Sequence, residues 1–262
     1  MKVSFFQTYI DRLPLLMARS EDSFFKKFTD NFDVNIISLH NVTDNVRDYV
    51  KNNQIVKNKI ILEFNNISYT QCISNLLNVL SDLKCEKFFF YQDDTFSSEI
   101  DESNFSDLID VCFNFKYEIL SLYHKISGFK EKDKEILYKT KTFNVYNTNT
   151  YDFCKTGRWS FDDSPFICDF MQMKNIFDDN YFSCNDIWSA EQYLNNKFAR
   201  KCINRSITDI SFFDQYGIIG NNVHQHHREN IKTKFNLSKQ VVDMLEYYYD
   251  NPNIWNPALN KK

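Results

Sequence analysis

The chain has 262 residues, of which 43% are hydrophobic and 17% aromatic, enough for a sizeable core and well outside the disordered class. Its net charge of −4, with the signs interspersed, gives no electrostatic footprint for nucleic acid or an anionic membrane. Seven scattered cysteines fit neither a disulfide framework nor a Cys-x-x-Cys metal site, and predict a reducing, cytoplasmic setting.

Met1-Lys2-Val3-Ser4-Phe5 leads into strand-like sequence without a signal-peptide pattern. No apolar run approaches the roughly 18 residues of a membrane-spanning helix, so a soluble protein without a transmembrane segment is expected. In chain order, Val3 to Tyr9 reads as a strand and Leu13 to Phe28 as a helix. Val34 to Leu39 and Lys59 to Phe64 are short, nearly continuous apolar runs, as in strands covered on both faces. Ser68 and Gln71 form a capping box ahead of a helix whose apolar face is Ile73, Leu76, Leu77, Leu80 and Leu83. Phe88 to Tyr91 is the next strand. Residues 103 to 127 begin as a helix on Phe105, Leu108 and Cys112, residues 135 to 147 read as extended, and Phe166 to Met173 as another strand. Ser189 with Gln192 predicts a second capping box, opening a helix through Lys201. A last helix covers Leu237 to Tyr249, and a tail with Pro252 and Pro257 follows. Without repeats or a low-complexity linker, this is one α/β domain over 1–262.

Four glycines (Gly128, Gly157, Gly217 and Gly220) are too dispersed for a P-loop or a dinucleotide fingerprint. Any phosphate would be handled by side chains and a metal. The dry run Lys87-Phe88-Phe89-Phe90-Tyr91 is followed by Gln92 and two adjacent carboxylates, Asp93 and Asp94. Like charges this close repel unless a cation lies beside them. Mg²⁺ or Mn²⁺ takes such oxygen ligands and keeps positions for water and phosphate; a solvated turn is the plainer alternative. A position just past the carboxyl end of a buried strand is where open α/β sheets bind ligands.

VSFFQTYIDRLPLL (3–16) resembles the opening of family 2 glycosyltransferases, in which a strand ends in a Thr-Tyr-Asn-Arg-like turn. Thr8, Tyr9 and Arg12 match, with one extra residue. VNIISLHNVTDN (34–45) is similar to that family's second strand and following loop. Thr43, Asp44 and Asn45 match, whereas His40 and Asn41 stand in place of the paired aspartates that hold the nucleotide base. FFFYQDDTF (88–96) falls where the family carries its metal-binding Asp-x-Asp motif, with Gln92 first and Asp94 last. ICDFMQMKNIFDDNYFSCNDIWSAEQYLNNKF (167–198) resembles the acceptor strand and the Glu-Asp-bearing helix, with Glu191-Gln192 at that pair. GRWSFDDSPF (157–166) ahead of SAEQYL also resembles WavE-type lipopolysaccharide-synthesis proteins.

The resemblance implies a GT-A-like fold with a mostly parallel central sheet flanked by helices. Residues 1–96 would form the nucleotide-sugar-binding half, 97–249 the acceptor-binding half and 250–262 a tail. It implies Thr8, Tyr9, Arg12, Asp44, Gln92 and Asp93 as donor-binding residues, and Asp94 with Asp93 as ligands of Mn²⁺ or Mg²⁺. The partners would be a nucleotide diphosphate sugar and a glycan or other hydroxyl acceptor. An inverting transfer needs a carboxylate to take the acceptor's proton. Gln192 cannot do so, which leaves Glu191 as the base, with Asp186 and Asp163 as rivals.

His224 and His226 lie two apart and share a face if extended. They either complete the metal site or belong to a polar surface loop. Trp188, just ahead of Glu191, is the candidate acceptor contact, set against an ordinary buried tryptophan. Two other functions stay open: a metal-dependent phosphoesterase or nuclease, which would need two metals and more ligands, and a catalytically silent sugar-binding relative, consistent with His40, Asn41 and Gln192.

Overall fold

A computed structural model describes residues 1–125, 134–148, 165–199, 205–215 and 237–251. β1 (Lys2–Tyr9) is followed by α1 (Leu13–Glu21), α2 (Ser23–Thr29), β2 (Val34–His40), α3 (Asp44–Asn52), β3 (Lys59–Phe64), α4 (Tyr69–Asp82) and β4 (Lys87–Gln92). Then come β5 (Thr95–Ser97), α5 (Phe105–Asn114), β6 (Ile119–Lys125), β7 (Lys134–Lys139) and β8 (Asn144–Thr148). The remaining described elements are β9 (Phe166–Asp169), α6 (Phe170–Ile176), α7 (Asp179–Phe182), α8 (Ile187–Ala199), β10 (Arg205–Thr208), β11 (Phe213–Gln215) and α9 (Lys239–Asp250).

These strands form a nine-stranded sheet in the order β3-β2-β1-β4-β9-β6-β10-β8-β7, with β5 and β11 paired separately. The α/β class is as expected, but the sheet is mixed rather than mostly parallel. β9 runs antiparallel to both β4 and β6, and β8 antiparallel to β10 and β7. Only the block β3-β2-β1-β4 and the β6–β10 pair are parallel. Strands from the first 96 residues and from the rest of the chain thus share one sheet.

The apolar runs of β1, β2 and β4 are continuous because both faces are covered, whereas β3, expected to match them, lies at the sheet edge and is only partly buried. Phe6, Ile37, Phe89 and Tyr91 pack with Leu16, Phe25, Phe28, Val46 and Leu108 on one face. Val3, Phe5, Ile36, Phe88 and Phe90 pack with Ile73, Leu76, Leu80, Met173 and Leu194 on the other. The predicted capping box forms: the Ser68 hydroxyl accepts the Gln71 amide at 3.2 Å, and the Gln71 side chain accepts the Ser68 amide at 3.0 Å.

Three expectations are corrected. The helix over 13–28 breaks at Asp22, whose carboxylate accepts the Phe25 amide at 2.9 Å and starts α2 as a separate helix. The strand over 166–173 ends at Asp169 and turns into α6. The capping box placed at Ser189 lies three residues earlier: Asp186 caps α8, its Oδ1 accepting the Ser189 amide at 2.8 Å while the Ser189 hydroxyl accepts the Asp186 amide at 3.3 Å. Glu191 is therefore past the first turn. Asp186 and Ser189 engage each other's amides reciprocally, which sets the start of α8 at Ile187.

Candidate functional site

In the parallel block, the chain runs from β1 outward to β2 and β3, then returns to place β4 on the other side of β1. Crossovers diverge at the carboxyl ends of β1 and β4, the geometry that opens a crevice in α/β sheets. The Tyr9–Arg12 turn and the Gln92–Asp94 turn both lie there.

Ile10 takes a left-handed φ of 46°, a costly conformation for a β-branched residue. It is held because the Ile10 amide donates to His40 O at 3.1 Å and Ile10 O accepts the Thr43 amide at 2.9 Å. Asn41, at φ 48°, donates its amide to Phe64 O at 3.0 Å, so the three loops beyond β1, β2 and β3 are tied together. The turn after Ile10 carries Arg12 over the end of β4, where its Nη1 meets Asp93 Oδ1 at 2.8 Å. Asp93 is fully buried, and the Arg12 side chain keeps 15% exposure. Burial works against the Arg12 charge, but Asp93 and then Asp94 more than offset it and raise its pKa. The dry strand can end in carboxylates because an arginine, 81 positions earlier in the chain, compensates the first of them.

Other buried polar atoms gather at this edge. Gln7 Nε2, Thr8 Oγ1, Arg12 Nε, Ser38 Oγ, His40 Nε2, Thr43 Oγ1 and Asp93 Oδ2 have no hydrogen-bond partner among the described residues. Unsatisfied buried groups are costly, so such a cluster calls for an explanation. Tyr9 donates its hydroxyl to Gln7 Oε1 at 2.5 Å, and its ring lies 5.1 Å from that of His40. Tyr9, His40 and Phe64 are direct neighbours across β1, β2 and β3. Burial lowers the His40 pKa to about 4, keeping the imidazole neutral, and its Nδ1 lies 3.3 Å from Cys72 Sγ.

Of the predicted donor residues, Thr8, Tyr9, Arg12, Gln92 and Asp93 come together at this edge. Asp44 does not join Asp93: it is exposed in the first turn of α3 and pairs with Arg47, which also meets Glu63 at 2.7 Å. Among the described residues no group of three or more His, Cys, Asp or Glu side chains could hold a metal ion. Asp93 and Asp94 remain a two-carboxylate set in which the buried Asp93 Oδ2 has no hydrogen-bond partner among the described residues. That suits an ion held by one or two carboxylates and otherwise by water and phosphate, as Mg²⁺ commonly is.

Glu191, half-buried, and Asp186, the exposed α8 cap, belong to the helix that packs through Ala190, Leu194 and Phe198 into the cluster shared with α4. Asp163, His224 and His226 lie outside the described residues, as does the Trp188 side chain. Five cysteines are free thiols (Cys72, Cys85, Cys112, Cys168 and Cys184); the other two are likewise outside. No helix among the described residues is long and apolar enough to cross a membrane.

Arg19 and Asp22 were not anticipated. Arg19 is fully buried and donates through Nη2 to Gln92 O at 2.7 Å and to Asp93 O. Its spacing with Arg12, Leu15 and Leu16, on the apolar side of a short helix, was the available signal. No protein-family model matches the chain, and no curated protein matches it.

Proposed function

We propose that this chain is a metal-dependent glycosyltransferase that moves a sugar from a nucleotide diphosphate donor to a glycan or other hydroxyl acceptor, on a GT-A-like version of the α/β architecture. The observation that carries the reading is the buried Arg12–Asp93 pair beside Asp94, at the carboxyl edge where the crossovers after β1 and β4 diverge and where polar atoms without a partner among the described residues collect. Structural packing alone would fill such a place with apolar side chains. Motif order along the chain supports the same reading.

In it, Asp94, with Asp93 beside it, holds Mn²⁺ or Mg²⁺, and the bound ion supplies charge neutralisation for the departing diphosphate. Arg12 holds Asp93 in place through their 2.8 Å ion pair. Tyr9, with its ring against His40, which in turn meets Phe64, offers a flat surface next to the Gln7 amide, suited to a heteroaromatic base. Glu191 accepts the acceptor's proton. Asp186 is the weaker choice because both ends of its role as helix cap engage it. β11 ends at Gln215, paired with Thr95 just past Asp94, so the covalent chain toward His224 and His226 starts beside the carboxylates.

A second reading, a silent sugar-binding relative, draws on one observation: Asp93 already has its counter-charge in Arg12 and does not need a cation. A screen of nucleotide sugars for turnover, with Mn²⁺, with Mg²⁺ and with chelator, separates the two. Metal-dependent release of the nucleotide supports the transferase; binding without turnover supports the silent relative; neither overturns the proposed crevice.

A further inference from the structure

We infer that Arg19 and Asp22, one helical turn apart at the end of α1, are positioning residues that clamp the Asp93–Asp94 turn from both arms. This rests on the reading of that turn as the reacting end of the site. Arg19 grips the incoming arm, bonding the carbonyls of Gln92 and Asp93. Asp22 grips the outgoing arm: its Oδ2 accepts the Ser97 amide at 2.7 Å and its Oδ1 accepts the Ser97 hydroxyl at 2.5 Å. Both residues are nearly or fully buried.

Asp22 also caps α2, but packing alone does not call for a charge at Arg19. Arg19 sits among the rings of Phe6, Phe25, Tyr91 and Phe96, at 4.4 to 5.6 Å. Its Nε and Nη1 have no partner among the described residues. An unbranched apolar side chain would fill the slot without burying a charge, and replacing buried ions by apolar groups is often neutral or stabilising. The guanidinium's gain is elsewhere: a planar donor fork fixes two successive carbonyls, and its positive charge lies under two carboxylates. Because α1 is itself pinned by α9, through Leu15 and Ala18 against Val241 and Leu245, the clamp is anchored to a rigid element.

The test compares Arg19→Met, Arg19→Lys and Asp22→Asn in the full chain. Two readouts are used: amide hydrogen exchange across 92–97, and turnover of the nucleotide sugar identified by the screen with Mn²⁺ present. A clamp predicts exchange at least tenfold faster in 92–97 for Arg19→Met, with the strands β1 and β2 unchanged. It also predicts turnover lowered ~10- to 100-fold at little-changed KM, with part recovered in Arg19→Lys. Asp22→Asn, which keeps a capping side chain, should loosen Ser97 in the same local way. Exchange in 92–97 that matches wild type, or that rises equally throughout the chain, overturns the clamp. If wild type turns over no nucleotide sugar, the functional reading falls while hydrogen exchange still decides the clamp.

Discussion

The Arg12–Asp93 pair places a counter-charge against a fully buried carboxylate, and its loss is directly measurable. Replacing Arg12 by Met keeps much of its length and apolar stem but removes the counter-charge from a carboxylate with no solvent exposure. Breaking a buried pair from one side costs about 3–5 kcal/mol, because the remaining charge is stranded. The 15% exposure of the Arg12 side chain and the nearby Arg19 charge argue for the lower end, about 3 kcal/mol. For a chain of this size that is a fall of about 6–12 °C in Tm. Adding Asp93→Asn to Arg12→Met removes the stranded charge, so the double variant should be more stable than Arg12→Met alone by about 1–2 kcal/mol. Urea unfolding at pH 7 in chelator, run on wild type, both single variants and the double variant, measures the coupling. A loss below about 1 kcal/mol for Arg12→Met, together with no recovery in the double variant, would refute the claim that Arg12 lets a buried strand end in a carboxylate.

Three further outcomes are expected. Burial takes the His40 imidazole from 6.5 to about 4, so the unfolded chain binds the extra proton between those values. His40 therefore contributes stability that is fully present above about pH 6.5 and is lost as pH falls toward 4, by at most about 3 kcal/mol; urea midpoints of His40→Phe should show a flatter pH dependence, and an unchanged slope would contradict the burial argument. A diphosphate nucleotide at ~100 times its dissociation constant should stabilise wild type by about 2.7 kcal/mol with Mn²⁺ or Mg²⁺. The same thermal-shift assay should show no such gain in chelator or in Asp94→Asn; an equal shift in chelator removes the metal from the mechanism. Glu191→Gln should lower turnover by ~10²–10⁴ with donor affinity little changed. Since Glu191 lies beyond the first turn of α8, it has no cap role to lose, and kinetics within tenfold of wild type would move the base to Asp186 or Asp163.

By itself, the sequence determined what depends on neighbours a few residues away. The apolar runs Val34–Leu39 and Phe88–Tyr91 became strands with both faces covered, and Ser68 with Gln71 closed the cap of α4, because those contacts lie within one turn or one strand. Ambiguity began where two local solutions compete. Asp22 could sit mid-helix or cap a new one, and where it caps, its carboxylate also accepts the amide and hydroxyl of Ser97, 75 residues on. Asp186 and Ser189 could each start α8, and they engage each other's amides so that it starts at Ile187. Strand direction was not legible at all: Phe166–Asp169 reads the same either way, and only its pairing with β4 and β6 set it antiparallel and made the sheet mixed. The site's electrostatics were equally long-range. Asp93 and Asp94 look like two repelling charges until β1 and β4 lie side by side, when Arg12 and Arg19 arrive from 81 and 74 positions away to neutralise and grip them. A charge acts through space, whereas the α4 cap acts within one turn of chain, so the Ser68–Gln71 cap could be read along the sequence and the counter-ions could not.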